Sequence, residues 1–406
     1  MAGRLTDEVY SAADARLAEA DARVAALYPG EPAGRQPVHT VYVPASAYTG
    51  DLVAQWGKRA SEVFASHGEG LADDDVRAKV RGKLSAEPIE DLRIDFEDGY
   101  GNPGDDVEDE AALSAGRTLA ESVVEGTAPP FFGIRFKSFE KPTRRRGIRT
   151  LDLFLAGLLE KHPLPQGFVV TLPKVTAVEQ VEAAAEVLGK LESAYGLAEG
   201  SLRFEVQIET PQSILSPDGT VAVARIVQAA AGRCSGLHYG TYDYSAGLGI
   251  GAAYQSMEHP AADFAKAFMQ VAAAGTGVRL SDGSTNRLPI GDRDAVLAAW
   301  GEHSRLVRRS LERGFYQGWD LHPHQLPSRF AATYTFFREG FPAAATRLKD
   351  YAEKTSGGVL DEPATAQALA AYLSRGLDCG ALDDDEVAQR TGVDRTTLDG
   401  YARRLV

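Results

Sequence analysis

The 406-residue sequence predicts an α/β chain folded as a (β/α)8 TIM barrel, with an N-terminal helix before it and a C-terminal helical extension or lid after it. Three observations predict this. Eight short β-like runs alternate with helical segments over roughly 300 residues, the size of such a barrel. Several runs are apolar and stop on carboxylates just before a turn, as strands do where a barrel opens onto a site. Both ends of the chain show helical periodicity without strand-like runs.

Taken in order, residues 6–28 set Val9, Ala12, Ala13, Leu17, Ala20, Val24 and Leu27 at helical spacing, and Pro29-Gly30 stops them. The β-like runs are 38–44, 92–97, 131–136, 168–173, 203–209, 237–242, 277–281 and 317–322; the seventh has the weakest pattern. Segments 178–195, 221–231 and 292–312 read as amphipathic helices between them. A doubly wound open sheet has the same alternation, since strand count alone does not close a barrel. Residues 66–90 are acidic and glycine-containing and read as an insertion or loop. Residues 99–110 read as a turn-rich loop leading into a helix with an acidic first turn. Helices resume beyond Phe337, over 363–376 and 384–404, with Gly380 between them. Three parts result: an N-terminal helical segment 1–37, the barrel 38–340 and the extension 341–406.

Composition narrows the function. With 43 basic and 57 acidic residues the net charge is −14, and the pI is near 5.1. That speaks against nucleic acid or an anionic membrane as the main partner. The two cysteines, Cys234 and Cys379, form no CxxC or Cys/His cluster, so neither a disulfide framework nor a structural zinc is expected. The first residues lack an apolar signal core, and no apolar run is long enough to span a bilayer. A cytoplasmic location is expected.

The strand ends carry the chemistry. Glu209 and Asp243 end the fifth and sixth runs, 34 residues apart, one βα unit. Carboxylates on neighbouring strand ends can share one hard cation, and an oxygen-only set suits Mg2+, or Mn2+, better than zinc. Each could instead be a helix N-terminal acid stabilised by the dipole. Glu97 and Asp98 end the second run, with Asp95 and Glu97 on the same side of the strand. They could hold metal-bound water or orient substrate, or pair with a basic residue. Arg135 ends the third run and needs an anionic partner, either a substrate carboxylate or enolate, or Glu97 or Glu209. Lys137, Lys141, Arg144, Arg145, Arg146 and Arg149 follow as a basic patch that could hold a phosphate-bearing substrate such as a CoA ester, or could be a solvated loop. Lys174 could form a Schiff base, but an ion-pairing role is preferred beside so many acids. His322 could be a base or a hydrogen-bonded rim residue. Residues 236–251 are glycine-rich and could offer backbone N–H groups, Gly240 and Thr241 among them, to a carboxylate.

At these residues the chain resembles the HpcH/HpaI aldolase and citrate lyase β-subunit superfamily, over about residues 38–376. Val43-Pro44-Ala45, Ile94-Asp95-Phe96-Glu97-Asp98, Ile134-Arg135, Leu172-Pro173-Lys174, Ile208-Glu209-Thr210, the Gly240 to Asp243 segment and Leu321-His322-Pro323-His324-Gln325 are similar to its motifs, in order and at βα spacing. The resemblance implies a (β/α)8 barrel, Mg2+ held by Glu209 and Asp243, and Arg135 on the substrate. It implies a carbon–carbon lyase or aldolase that cleaves or forms a malyl-, citramalyl- or citryl-CoA-like substrate through an enolate. Gly357 to Pro363 resembles the lid of the CoA-ester branch, which implies an acid/base role for Asp361, often in a neighbouring subunit, and hence a homo-oligomer. Asp361 could also be a plain helix cap before Pro363.

Three other readings stand beside this one. The same chemistry could act on free 2-keto acids without CoA. The chain could be a non-catalytic lyase subunit. Residues 384–404 have helix-turn-helix-like spacing around Gly392, as a DNA-binding regulator would, although Asp383 to Glu386 oppose a basic face.

Overall fold

The computed structural model describes residues 3–353 and 362–403. Eight parallel strands run β1 (His39–Pro44), β2 (Asp91–Asp95), β3 (Phe131–Arg135), β4 (Phe168–Leu172), β5 (Phe204–Ile208), β6 (Cys234–Tyr239), β7 (Arg279–Ser281) and β8 (Gly318–Asp320). The helices are α1 (Asp7–Leu27), α2 (Leu52–His67), α3 (Asp74–Ala86), α4 (Asp105–Glu125), α5 (Arg144–Leu158), α6 (Val178–Tyr195) and α7 (Ala222–Ala229). After β6 come α8 (Thr241–Gly247), α9 (Pro260–Ala273), α10 (Arg293–Glu312), α11 (Leu326–Ala352), α12 (Pro363–Asp378), α13 (Asp384–Thr391) and α14 (Arg395–Ala402).

The strands lie in the order β7-β6-β5-β4-β3-β2-β1-β8. The ring closes between β7 and β8 through a parallel bridge, Ser281 to Gln317. Asp282 N–H donates to Gln317 O (2.8 Å) and Trp319 N–H to Gly283 O (3.1 Å) beside it. The chain is therefore a (β/α)8 barrel, and the open-sheet alternative falls away.

Alternation along each strand sorts the side chains. Val41, Val43, Leu92, Ile94, Ile134, Val170 and Val206 are buried in the main apolar core. The opposite faces fill the barrel with polar groups. Arg93 reaches Glu205 (2.8 and 2.9 Å), Thr171 (3.0 Å) and Asp91, and Glu205 also meets His238 Nε2 at 3.0 Å. A guanidinium buried at 1% exposure is tolerable because each face of it finds an acceptor. Outside the ring, α4 and α5 pack backbone to backbone. A Cβ at Gly116 would lie 2.2 Å from Phe154 O, and one at Gly157 2.2 Å from Leu113 O.

Two sequence expectations are corrected. Residues 66–90 are not a loop: they contain α3, whose Val76, Val80 and Leu84 lie on one buried face at four-residue spacing. The sixth strand starts at Cys234 and ends at Tyr239, so Asp243 sits in the first turn of α8 rather than on the strand. The small residues Cys234-Ser235-Gly236 gave little strand signal.

Helix α11 runs unbroken across residue 340. Its residues up to Phe337 join the barrel core. From Phe341 on they join a second core with Ala366, Ala370, Leu373, Leu382, Val387 and Leu398 of the C-terminal segment. Among the described residues no helix is long and apolar enough to cross a membrane.

Candidate active site

The carboxyl ends of β2 to β6 converge on one constellation. Asp95, the last residue of β2, accepts two hydrogen bonds from Arg135, Nε and Nη2 to its two oxygens, both at 2.7 Å. It also accepts from the backbone N–H of Glu97 and of Gly99, both at 3.0 Å. This one carboxylate fixes Arg135 and shapes the loop after β2. The third guanidinium nitrogen, Nη1, lies 3.5 Å from Gln207 Oε1 and 3.6 Å from Glu97 Oε2. Arg135 Cζ also stands 4.8 Å from the ring centre of Tyr42. Burial opposes the Arg135 charge, but Asp95 and Glu97 outweigh it and raise its pKa.

Lys174 ties the acids together. Its backbone is in the left-handed region (φ 50°), and its N–H donates to Glu209 Oε1 at 2.7 Å. Its ammonium donates to Asp98 Oδ2 (2.9 Å) and Asp243 Oδ2 (2.8 Å) and lies 3.5 Å from Glu97 Oε1. The ion-pairing geometry raises the Lys174 pKa against burial, through Glu209, Glu97 and Asp243. A charged ammonium is a poor Schiff-base nucleophile.

Two carboxyls here lack full compensation. Burial pushes Glu209 up to about 7, against Lys174 and Arg135 and with help from Asp243. Burial pushes Glu97 up to about 8, against Arg135 and Lys174. Asp98 behaves oppositely: burial would raise it, but the Glu97 and Lys174 hydrogen bonds outweigh that and lower it. Gly240 makes the approach of Glu209 possible. A Cβ there would lie 2.3 Å from Glu209 Cβ and 2.6 Å from its Oε2.

These residues fit a divalent cation of oxygen preference. Glu209 is 2% exposed and under-neutralised, and Asp243 stands across the same ammonium with its side chain half open to solvent. Among the described residues no group of three or more His, Cys, Asp or Glu could enclose a metal. Glu209 and Asp243 are the residues that would hold such an ion, with its remaining positions left to water and substrate oxygens, as suits Mg2+.

Other expected residues lie elsewhere. Lys137 turns behind the loop after β2, donating to Glu108 (2.6 Å), Phe96 O and Gly101 O. Arg146 and Arg149 are drawn to Asp109 on α4. Thr241 is buried, its hydroxyl accepting from Ser284 N–H at 3.3 Å. His322 is half-buried at the rim, 3.1 Å from Arg59; burial, then His324 and Arg59, lower its pKa to about 4. Asp361 lies outside the described residues. Sequence reasoning missed Tyr42 and Gln207. The signal was there for Gln207, which precedes Glu209 by two residues on the same inward face.

The chain belongs to the family described as a domain of unknown function, DUF6986, which matches residues 17–406. No curated protein matches it. Among solved structures, a citrate lyase from Burkholderia xenovorans LB400 is similar, with a TM-score of 0.60 at 17% identity, over 91% of this chain and 100% of that one. A malate synthase from Haloferax volcanii in a lead(II) complex has a TM-score of 0.50 at 16% identity, over 92% and 99%. At these identities the likeness is one of fold. The structural neighbours are thus of the kind that the motif resemblance implied.

Proposed function

We propose that this protein is a Mg2+-dependent carbon–carbon lyase or aldolase that cleaves or forms a β-hydroxy acyl substrate, malyl-, citramalyl- or citryl-CoA-like. The observation that carries the reading is the Glu209–Lys174–Asp243 arrangement beside an Arg135 that Asp95 holds rigid. Fold neighbours point the same way: one is a citrate lyase, and the Haloferax volcanii malate synthase has structures with magnesium and glyoxylate and with pyruvate and acetyl-CoA.

Glu209 and Asp243 would hold the metal, which supplies Lewis-acid polarisation of a substrate oxo group when bound. Arg135 provides a positive charge that needs no reorganisation as negative charge develops on the enolate oxygen. Lys174 keeps Asp98 and Asp243 apart from each other's repulsion and oriented toward the opening. Glu97 and Asp98 order water and substrate at the mouth. Asp361 moves the proton, from its own chain or a neighbouring one.

A specific observation favours a second reading, an aldolase of free 2-keto acids. Lys137, Arg146 and Arg149 are engaged by acids of α4, Arg149 while still exposed, so Lys141, Arg144 and Arg145 are the exposed members of the basic patch with no ion pair among the described residues to hold them back from a CoA phosphate.

Thermal shift with Mg2+ separates the two, using acetyl-CoA against pyruvate and glyoxylate, each repeated in EDTA. Ligand at 100 times its dissociation constant adds about 2.7 kcal/mol. A shift with acetyl-CoA supports the thioester branch; one confined to small oxo acids supports the free-acid reading. Asp243→Ala should lower turnover at least ~100-fold and remove the Mg2+-dependent shift, with an unchanged circular dichroism spectrum. An active Asp243→Ala protein would overturn the metal assignment.

A further inference from the structure

We propose that α1 is one strand of a parallel two-stranded coiled coil, completed by α1 of a second copy of this chain. The helix has 21 residues and none is buried. Val9, Tyr10, Leu17 and Val24 stand about half exposed, at 48, 56, 52 and 55%. In proteins most of a helix's stability comes from packing one of its faces against a partner. Here the barrel does not cover that face.

The spacing of the uncovered face is specific. Tyr10, Ala13, Leu17, Ala20, Val24 and Leu27 follow one another at intervals of 3, 4, 3, 4 and 3. That is the narrow two-position seam of a heptad repeat, with Tyr10, Leu17 and Val24 at a and the others at d. Alanines at two d positions let two backbones come close. Leu27 ends the seam where the helix meets the body: Leu27 and Tyr28 line an apolar cavity of about 530 Å3 with Val227, Phe268 and Val271. Gly30 N–H donates to Gly275 O at 2.9 Å just beyond.

Charge selects the occupant and its direction. The e positions are Asp7, Asp14 and Asp21, all acidic. The g positions are Val9, Arg16 and Arg23. In a parallel pair, g of one helix faces e of the next heptad on the other, which sets Arg16 against Asp21 twice by symmetry. In an antiparallel pair g faces g and e faces e, which sets Arg against Arg and Asp against Asp. Asp14, Arg16, Asp21 and Arg23 make no ion pair with the rest of the described residues, so these charges are available.

Cysteine cross-linking on the full chain tests this, since Cys234 and Cys379 are buried. Ala13→Cys and Ala20→Cys, each alone, should give a disulfide-linked species of twice the 43.5 kDa chain mass on mild oxidation. Ala15→Cys, on the outer face at f, should not. A chain that cross-links only when Ala13→Cys and Ala20→Cys are mixed overturns the parallel arrangement. Equal cross-linking at all three positions, or none, overturns the seam. A charge swap gives a second arm. Arg16→Asp and Asp21→Arg should each weaken self-association at least tenfold, by light scattering on dilution, and their mixture should restore it. Leu17→Asp with Val24→Asp should halve the assembly mass. Swapped chains that associate as the parent does, or an unaltered mass for the double variant, overturn the proposal.

Discussion

Arg135 and Asp95 form the joint on which the site depends. Their paired hydrogen bonds lie at the end of adjacent strands, with Arg135 at 6% and Asp95 at 2% exposure. Removing one member of such a buried pair leaves the other charge without compensation, at about 3–5 kcal/mol. Arg135→Met should therefore lose stability of that order in urea denaturation as well as activity. Asp95→Asn with Arg135→Met should recover part of the stability and none of the turnover. The presence of Arg135 in the site was legible, because an arginine ending an apolar strand needs an anion. Its main partner was not. Of the two expected partners, Glu97 does lie 3.6 Å from Nη1, but register places Asp95 directly opposite, and the paired hydrogen bonds go there. Register across strands is a tertiary quantity, and the spacing along one strand carries only which side a residue faces.

At the scale of elements, the β6–α8 junction shows how backbone shape sets chemistry. Gly240 lies against Glu209, and α8 begins at the next residue. Gly240→Ala would drive a methyl group into the Glu209 side chain. Overpacking of this kind costs about 1–3 kcal/mol. The expected outcome is a folded protein whose melting temperature no longer responds to Mg2+; a retained response would show that Glu209 is not displaced. Helix α3 makes the complementary point. It was read as part of an acidic loop because three apolar residues, Val76, Val80 and Leu84, stand among lysines, arginines and aspartates. Their four-residue spacing is sufficient once α2 and α11 offer a surface to bury them. Leu84 is 1% exposed, and Leu84→Ala should cost about 2–5 kcal/mol in chemical denaturation.

For the whole molecule, closure of the ring depends on β8 and what grips it. Asp320 takes hydrogen bonds from Arg329 (2.9 Å) and pairs with His39 Nδ1 (2.8 Å), and His303 Nε2 lies 3.2 Å away. Burial would raise the Asp320 pKa, but Arg329 and the two histidines hold it well below the ordinary aspartate range. Burial lowers the His303 pKa as well. Both shifts have the same sign for stability. The unfolded chain binds a proton at His303 from about pH 6.5 downward that the folded chain refuses, so stability falls as pH drops through 6.5. Below about pH 4 the unfolded Asp320 takes its proton first, and stability falls again toward the lower folded value. Glu97 and Glu209, whose pKa values are raised, act in the opposite sense between about pH 8 and 4.5, so the His303 part is read as a difference: the melting temperature of the parent relative to that of His303→Asn should fall as pH drops through 6.5. A difference that stays flat from pH 7 to 5 would contradict this.

Sequence alone determined the alternation of strands and helices, the acids and basic groups at strand ends, and their order along the chain. Those features follow from periodicity, and periodicity is local. Closure of the barrel was decided only in three dimensions, through one bridge between Ser281 and Gln317, residues 36 apart with a helix between them. The same holds for the bond between Arg135 and Asp95, the reach of Lys174 to Asp98 and Asp243, and the loss of Lys137 to Glu108. Each joins groups on different strands or helices. Which charges meet there depends on register, twist and the burial that makes an unpaired charge too costly to keep.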